Sequence, residues 1–242
     1  NEDVQRLEIR AAEPTEALAA ALLACPWEFL ADEQGFIAAG RATPLHVIRV
    51  RGEASADDIE AAARAVARRS EADAIAAGGS LDEALEILRG EVLSVFERLD
   101  DSREKAITQG RIADVLLATG QLDEAMALQE ARLPVVTALG DQEGLAHIRY
   151  SMANIRIARG EHESGKLQQI YEELTEAFQI SCQQGHADAI GGIGLLLVQV
   201  LAMGGLRDEA VETLDTTEDA FTTLHDLDGL AQVKQLRQML EA

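Results

Sequence analysis

Two cysteines and five histidines have the widest chemical range of any side chains in this sequence. A thiol becomes a nucleophile when a nearby imidazole draws its proton, and short-spaced Cys/His sets hold zinc. Neither arrangement is written here. Cys25 closes an apolar helical stretch beside Pro26, and Cys182 falls near the end of a helix in the third of the units described below. Both read as reduced, buried thiols, and burial raises a thiol's pKa and leaves it inert. Far apart in sequence, they lack the paired spacing of a disulfide framework or a zinc site. His46, His147, His162, His186 and His225 contain no pair at the i, i+4 spacing of a helical metal site. Gly191-Gly192-Ile193-Gly194 has the glycine content of a phosphate loop but neither a preceding strand nor the lysine, so close helix packing is its expected use. The expectation is a protein that is not an enzyme, with no catalytic residue, no metal and no cofactor.

Binding chemistry is the remaining possibility, and it depends on the elements that would present it. The chain has 242 residues, enough for one elongated domain or a small domain beside a larger one. Aromatic residues are only 3%, so alanine and leucine must fill the core, a composition that favours helices. Forty-three acidic residues against 21 basic ones give a net charge of −22. Such a surface repels phosphate backbones and anionic head groups, so no nucleic acid and no membrane is expected as a partner. The same excess also serves solubility alone. The longest apolar run, Ile193 to Met203, is shorter than the roughly 20 residues a membrane helix needs, and no export signal is written at the start. A cytoplasmic protein is expected. A first residue of Asn1 suggests a processed chain or part of a longer one.

Internal repetition organises the rest. Gly79-Ser80-Leu81-Asp82-Glu83-Ala84 recurs as Gly120-Gln121-Leu122-Asp123-Glu124-Ala125 and as Gly205-Leu206-Arg207-Asp208-Glu209-Ala210, at offsets of 41 and 126 from Ala84. Leu139-Gly140-Asp141-Gln142-Glu143-Gly144-Leu145-Ala146 returns at Leu224 to Ala231, an offset of 85, which is also the distance from Ala125 to Ala210. Two independent motifs thus share one spacing. A copy carrying Gly160 and Gly165 divides it into 40 and 45, placing a five-residue insertion in the third unit. Each unit reads as helix, tight glycine turn, helix, longer turn, with alanine at 84, 125 and 210 where helices must approach closely. The units are 62–101, 102–141, 142–186 and 187–226, and Leu230, Val233, Leu236 and Leu240 give 227–241 the stripe of a closing helix with Lys234, Gln235, Arg237 and Gln238 outside. A longer helix from Ser164 to Gln184, with Leu167, Ile170, Leu174, Phe178 and Ile180 as a projecting ridge, is expected in the third unit.

The pattern Tyr150-Ser151-Met152-Ala153-Asn154, followed by Gly160 and a small residue five positions on, resembles the tetratricopeptide repeat, and units near 40 residues with a Gly-Asp turn resemble the longer kinesin-light-chain variety. The resemblance covers 62–242. Leu116 and Arg156 stand at its tyrosine-like position and no proline closes the units. It implies a mainly α protein, a right-handed superhelix of antiparallel helix hairpins, whose first helices line a concave groove that binds peptides, proteins or copies of itself. Counting back eleven residues from Ala84, Ala125, Gly165 and Ala210 gives Asp73, Asp114, Asn154 and Gln199, all polar. Three and four positions earlier stand Ser70 and Arg69, Arg111 and Gly110, Ser151 and Tyr150, Leu196 and Leu195. The predicted partner-binding set is Arg69, Asp73, Arg111, Asp114, Tyr150, Asn154, Leu195 and Gln199. Its partner is a protein or peptide of basic or mixed charge, with an apolar anchor at Leu195, Leu196 and Met203. The alternative for Leu195 and Leu196 is that they pack inside.

Residues 1–53 do not match the repeat. Val4 to Ile9 suggests a strand, Pro14 to Ala24 a helix, Trp27 to Leu30 and Phe36 to Ala39 a hairpin, and Pro44 to Val50 another strand, a small α/β element before a helical domain over 54–242. Pro26-Trp27-Glu28-Phe29-Leu30, Gly35-Phe36-Ile37 and Pro44 to Arg49 resemble the front of CHAT-type, caspase-like proteases, but the repeats begin where the histidine and cysteine core would continue. Function is therefore expected in an interaction scaffold, possible beside such a protease. The alternatives are a self-assembling structural protein and a non-catalytic regulatory fragment of a protease.

Overall fold

The computed structural model describes residues 29–32, 35–38, 56–163 and 165–241. Strands β1 (Phe29–Asp32) and β2 (Gly35–Ala38) pair antiparallel, Phe29 opposite Ala38 and Asp32 opposite Gly35. This is the hairpin expected around Asp32 and Gly35. The other elements expected before residue 54 lie outside the described residues.

Nine helices follow among the described residues. They are α1 (Ala56–Ala77), α2 (Leu81–Arg98), α3 (Ser102–Ala118), α4 (Leu122–Leu139), α5 (Gln142–Ala158), α6 (Leu167–Gln184), α7 (Ala187–Met203), α8 (Arg207–Leu224) and α9 (Leu227–Glu241). Helix α2 widens into a π-helical stretch over Leu88–Leu93 before returning to α geometry at Ser94. The chain thus makes four hairpins, α1/α2 to α7/α8, and a closing α9.

The repeated strings explain the turns. Gly120 takes φ 77°, which lacks the Cβ penalty only in glycine, and the next residue sends its N–H back from Gln121 to the Leu116 carbonyl at 2.8 Å. The same bond recurs from Ser80 to Ile75, Glu161 to Arg156 and Leu206 to Leu201, so all four first helices stop alike. Asp101, Asp141 and Asp226 accept backbone N–H bonds at the starts of α3, α5 and α9. Asp82/Glu83, Asp123/Glu124 and Asp208/Glu209 place negative charge in the first turns of α2, α4 and α8, where the helix dipole favours it. Ala84, Ala125 and Ala210 are fully buried, as close helix approach requires.

The third hairpin differs from expectation. Residues 159–166 join α5 to α6, against 119–121 between α3 and α4, so the insertion lengthens the turn and leaves the helix alone. Helix α6 has 18 residues, like α4 and α8. Its apolar stripe does not project: Ile170, Leu174 and Ile180 are buried in the core that α6 shares with α5 and α7. A stripe at helical spacing buries wherever a neighbour can receive it. Ile170, not Gly165, is the fourth residue of its helix and so the counterpart of Ala125. A projecting ridge through which copies of the chain could join is thereby removed as a ground for self-assembly. Cys182 is exposed rather than buried, although partial desolvation still pushes its thiol upward.

Two clusters of apolar side chains form the core, one over α1 to α5 and one over α5 to α9. Helix α5 serves both, giving Ile148, Met152 and Ile155 to the first and Ala146 and Ala153 to the second. In α9 Val233 and Leu240 are buried while Lys234, Gln235 and Gln238 are exposed, and Arg237 turns back to Asp215 and Glu218 of α8.

Candidate functional site

Asp73, Asp114, Asn154 and Gln199 each stand four residues before the end of a first helix, at Ala77, Ala118, Ala158 and Met203. Equal distance from a shared helix stop puts them at one rotational position. Asp73, Asp114 and Asn154 are half-buried and Gln199 is exposed, so no core claims them. Asn154 donates to the Tyr150 carbonyl one turn back at 3.0 Å.

The row is densest between α1 and α3. Asp73, Arg111 and Asp114, with Ala76, Leu81, Val115 and Ala118, line an open cleft of about 470 Å³. Arg111 Nε lies 3.4 Å from Asp73 Oδ2, and His147 Nε2 of α5 lies 3.2 Å from Asp114 Oδ2. Burial holds the Asp73 carboxyl above its ordinary range, an effect that Arg111 and Arg69 oppose and Asp114 reinforces. Across three first helices the polar positions therefore form a chain of contacts, Asp73 to Arg111 and Asp114 to His147. His147 was missed in the sequence; it lies 33 residues beyond Asp114, seven short of the repeat, where no fixed offset points.

Arg111 apart, the neighbouring positions Arg69, Tyr150, Ser151, Leu195 and Leu196 do not join them. Arg69 is 4% exposed. Its Nη1 donates to Glu104 Oε2 at 2.7 Å and to Thr108 at 3.3 Å, and its guanidinium lies 5.7 Å from the Phe96 ring centre. It fastens α1 to α3 and does not line the cleft. Tyr150, Leu195 and Leu196 are partly buried against the second core, so for the leucines packing inside is what the structure shows. Met203, 57% exposed, is the apolar residue left at that end. Ser151 is buried and accepts from Gln129 Nε2 at 2.8 Å. The neighbouring residues stand three or four positions before the row, about one turn away and roughly 40–60° round the helix, so a small rotation separates a groove residue from one that meets the next helix.

No protein-family model matches the chain, and no curated protein matches it in sequence. Solved structures match it in fold. Aspartyl phosphate phosphatase F from Bacillus subtilis superposes over 74% of this chain and 45% of its own, with a TM-score of 0.65 and 10% identity. A Rap protein complexed with Competence and Sporulation Factor gives 74%, 54%, 0.60 and 14%. A putative kinesin light chain of nearly identical TPR-like repeats from Podospora anserina gives 75%, 96%, 0.53 and 17%. The fold is that of a tetratricopeptide-like helical array. The chain spans about half the length of the first two of these proteins.

Two further arginines are buried. Arg156, at the tyrosine-like position, reaches Glu173 at 3.1 Å and Glu161 at 3.1 Å. Burial alone would lower its pKa, and the two carboxylates more than reverse that. Arg132 of α4 is also buried, but its hydrogen bond is to Gln129 at 2.5 Å and its Nε has no partner; burial pushes it down to about 10. Among the described residues no group of three or more His, Cys, Asp or Glu could hold a metal, and no helix is long and apolar enough to cross a membrane.

Proposed function

We propose that this chain is a non-catalytic cytoplasmic scaffold that holds an extended segment of a partner protein or peptide along its first helices. The observation that carries the reading is the row of Asp73, Asp114, Asn154 and Gln199, four polar residues at one helical position and outside the core. Carboxylates accept from a partner's backbone N–H groups, and the amides both accept and donate, so the row suits an extended backbone of varied sequence. The net charge of −22 favours encounter with a basic or mixed-charge partner. A neighbour of the same fold has been seen in complex with Competence and Sporulation Factor, which supports a ligand-holding use of such an array. The association with a CHAT-like protease rests on the resemblance of residues 26–49 alone, and the genes beside this one test it.

Replacing Asp114, Asn154 and Gln199 together by Asn, Ala and Ala tests the groove. Partners captured from the native cell should be lost while the circular dichroism of the array stays unchanged. Capture of the same partners by the variant would sink the groove as the binding surface. Self-assembly predicts a mass that rises with concentration, and a monomer throughout removes it.

A further inference from the structure

We propose that the cleft between α1 and α3 is a subsite for one long basic side chain, a lysine or arginine of the bound segment, whose cation takes Asp73 while Arg111 moves aside to Asp114. The inference deepens the groove reading and rests on it.

The cleft is amphipathic. Ala76, Leu81, Val115 and Ala118 line it with methyl and methylene groups, beside two carboxylates and one guanidinium. A lysine or arginine has a matching division, an apolar stem and a charged head. The basic groups nearby are otherwise committed. Arg69 belongs to Glu104, Arg132 lies on Gln129 behind Gly110, and His147 meets Asp114 at 3.2 Å from α5, where Arg111 would share that carboxylate with it; none of the three lines the cleft.

The cleft also holds a rehearsal of its ligand. Arg111 already lays a guanidinium on Asp73, but at 3.4 Å and with both side chains more than a third exposed, so the contact is long and easily exchanged. Arg111 has a second acid one turn along its own helix, since Asp114 follows it by three residues, a spacing at which side chains on a helix meet. An incoming cation that displaces Arg111 from Asp73 therefore leaves no charge stranded. The burial that raises Asp73 supplies the direction: a closer cation relieves a carboxylate that is under-compensated as it stands.

Small probes test this on the whole 242-residue chain. n-Butylguanidinium and n-butylammonium, with butyrate and butanol as controls, are titrated while the Ala76 and Ala118 methyl and Asp73 carboxyl resonances are followed. The cations should shift these resonances and lower the Asp73 pKa, and the controls should not. Asp73→Asn should weaken the cations about tenfold. Arg111→Gln removes the internal competitor and should tighten them about threefold. Both substitutions fall on half-exposed side chains outside the core. Equal shifts from butanol would reduce the cleft to an apolar hollow. Shifts from butyrate, or weaker cation binding in Arg111→Gln, would make Arg111 an anion receptor and overturn the proposal. Silent titrations combined with partner loss in the triple groove variant would overturn the subsite alone; retained partners with intact titrations would overturn the groove alone.

Discussion

Glu104→Ala is the most demanding perturbation of this architecture. Glu104 and Arg69 keep only 5% of their side chains exposed and are joined at 2.7 Å. Removing the carboxylate strands a buried guanidinium with Thr108 at 3.3 Å and the Phe96 face, a cation–π contact worth about 0.5–2 kcal/mol. Breaking a buried pair by deleting one member costs about 3–5 kcal/mol, and at an m-value of about 2 kcal/mol/M the urea midpoint should fall by roughly 1.5–2.5 M. The exposed Arg64–Glu60 pair is the control. Its members lie 3.1 Å apart with 74% and 64% of their side chains in solvent, so Glu60→Ala should cost a few tenths of a kcal/mol. The double variant Arg69→Met with Glu104→Leu replaces both charges by apolar groups of similar size and should recover most of the loss. A Glu104→Ala midpoint no lower than that of Glu60→Ala would refute the reasoning. So would a double variant as unstable as the single one.

Helix α7 offers a paired test of glycine. A Cβ at Gly192 meets nothing within 4 Å, so Gly192→Ala should stabilise by about 0.5–1 kcal/mol through helix propensity; at Gly194 it would lie 2.0 Å from Thr217 Oγ1 of α8, and Gly194→Ala should cost about 1–3 kcal/mol in thermal unfolding. A Cβ at Gly110 would sit 2.6 Å from the Arg132 guanidinium, so Gly110→Ala should destabilise, and much less in an Arg132→Gln background, a non-additivity that a double-mutant cycle measures. Asp73 has a folded pKa above its ordinary 3.8, so its contribution to stability is fully present below that value and is lost as pH rises through the folded one. Arg111→Gln removes a group that lowers it and should move its carboxyl titration, followed by NMR, further up, extending that loss to higher pH.

The hairpins were legible because what writes them is local. A glycine at a fixed place after each first helix and acids in the first turns of α2, α4 and α8 act within a few residues, so their recurrence at 41 and 85 residues marks the units. The third unit misled because an insertion moves Gly165 into the place a helix residue was expected to take, and only packing shows Ile170 beneath it. The row was legible for the same reason as the turns, since it is measured from a shared stop. Arg69 was not. A long basic side chain one turn before Asp73 reads as a groove residue until its acid is known, and Glu104 lies 35 residues away, at no repeat offset. Arg132, Gln129 and Ser151 pose the same difficulty, since Gln129 bonds Ser151 across 22 residues.

The junctions between consecutive hairpins show how these hidden groups bear on the site. At the first, Arg69 of α1 meets Glu104 of α3. At the second, Gly110 stands 41 residues after Arg69 and Gly144 stands 40 after Glu104, so both charged side chains are gone. Gly110 opens the space that the Arg132 guanidinium fills from α4, while Gly144 supplies no acid. A cation is kept at the joint without a hydrogen-bonded carboxylate, so burial outweighs the more distant pull of Asp114 and Asp141 and pushes Arg132 down, where Arg156, bonded to two carboxylates, is raised. The ion-paired joint is the one that fixes α1 against α3, and those two helices, with Leu81 of α2, line the cleft that holds Asp73, Arg111 and Asp114. Rigid walls let a cleft of exposed, exchangeable charges discriminate by shape and sign, since a binding surface that is already ordered pays less conformational entropy when its ligand arrives. Glu104→Ala should therefore weaken n-butylguanidinium at Asp73 although Glu104 does not line the cleft, and unchanged binding in that variant would show that the joint and the subsite are independent.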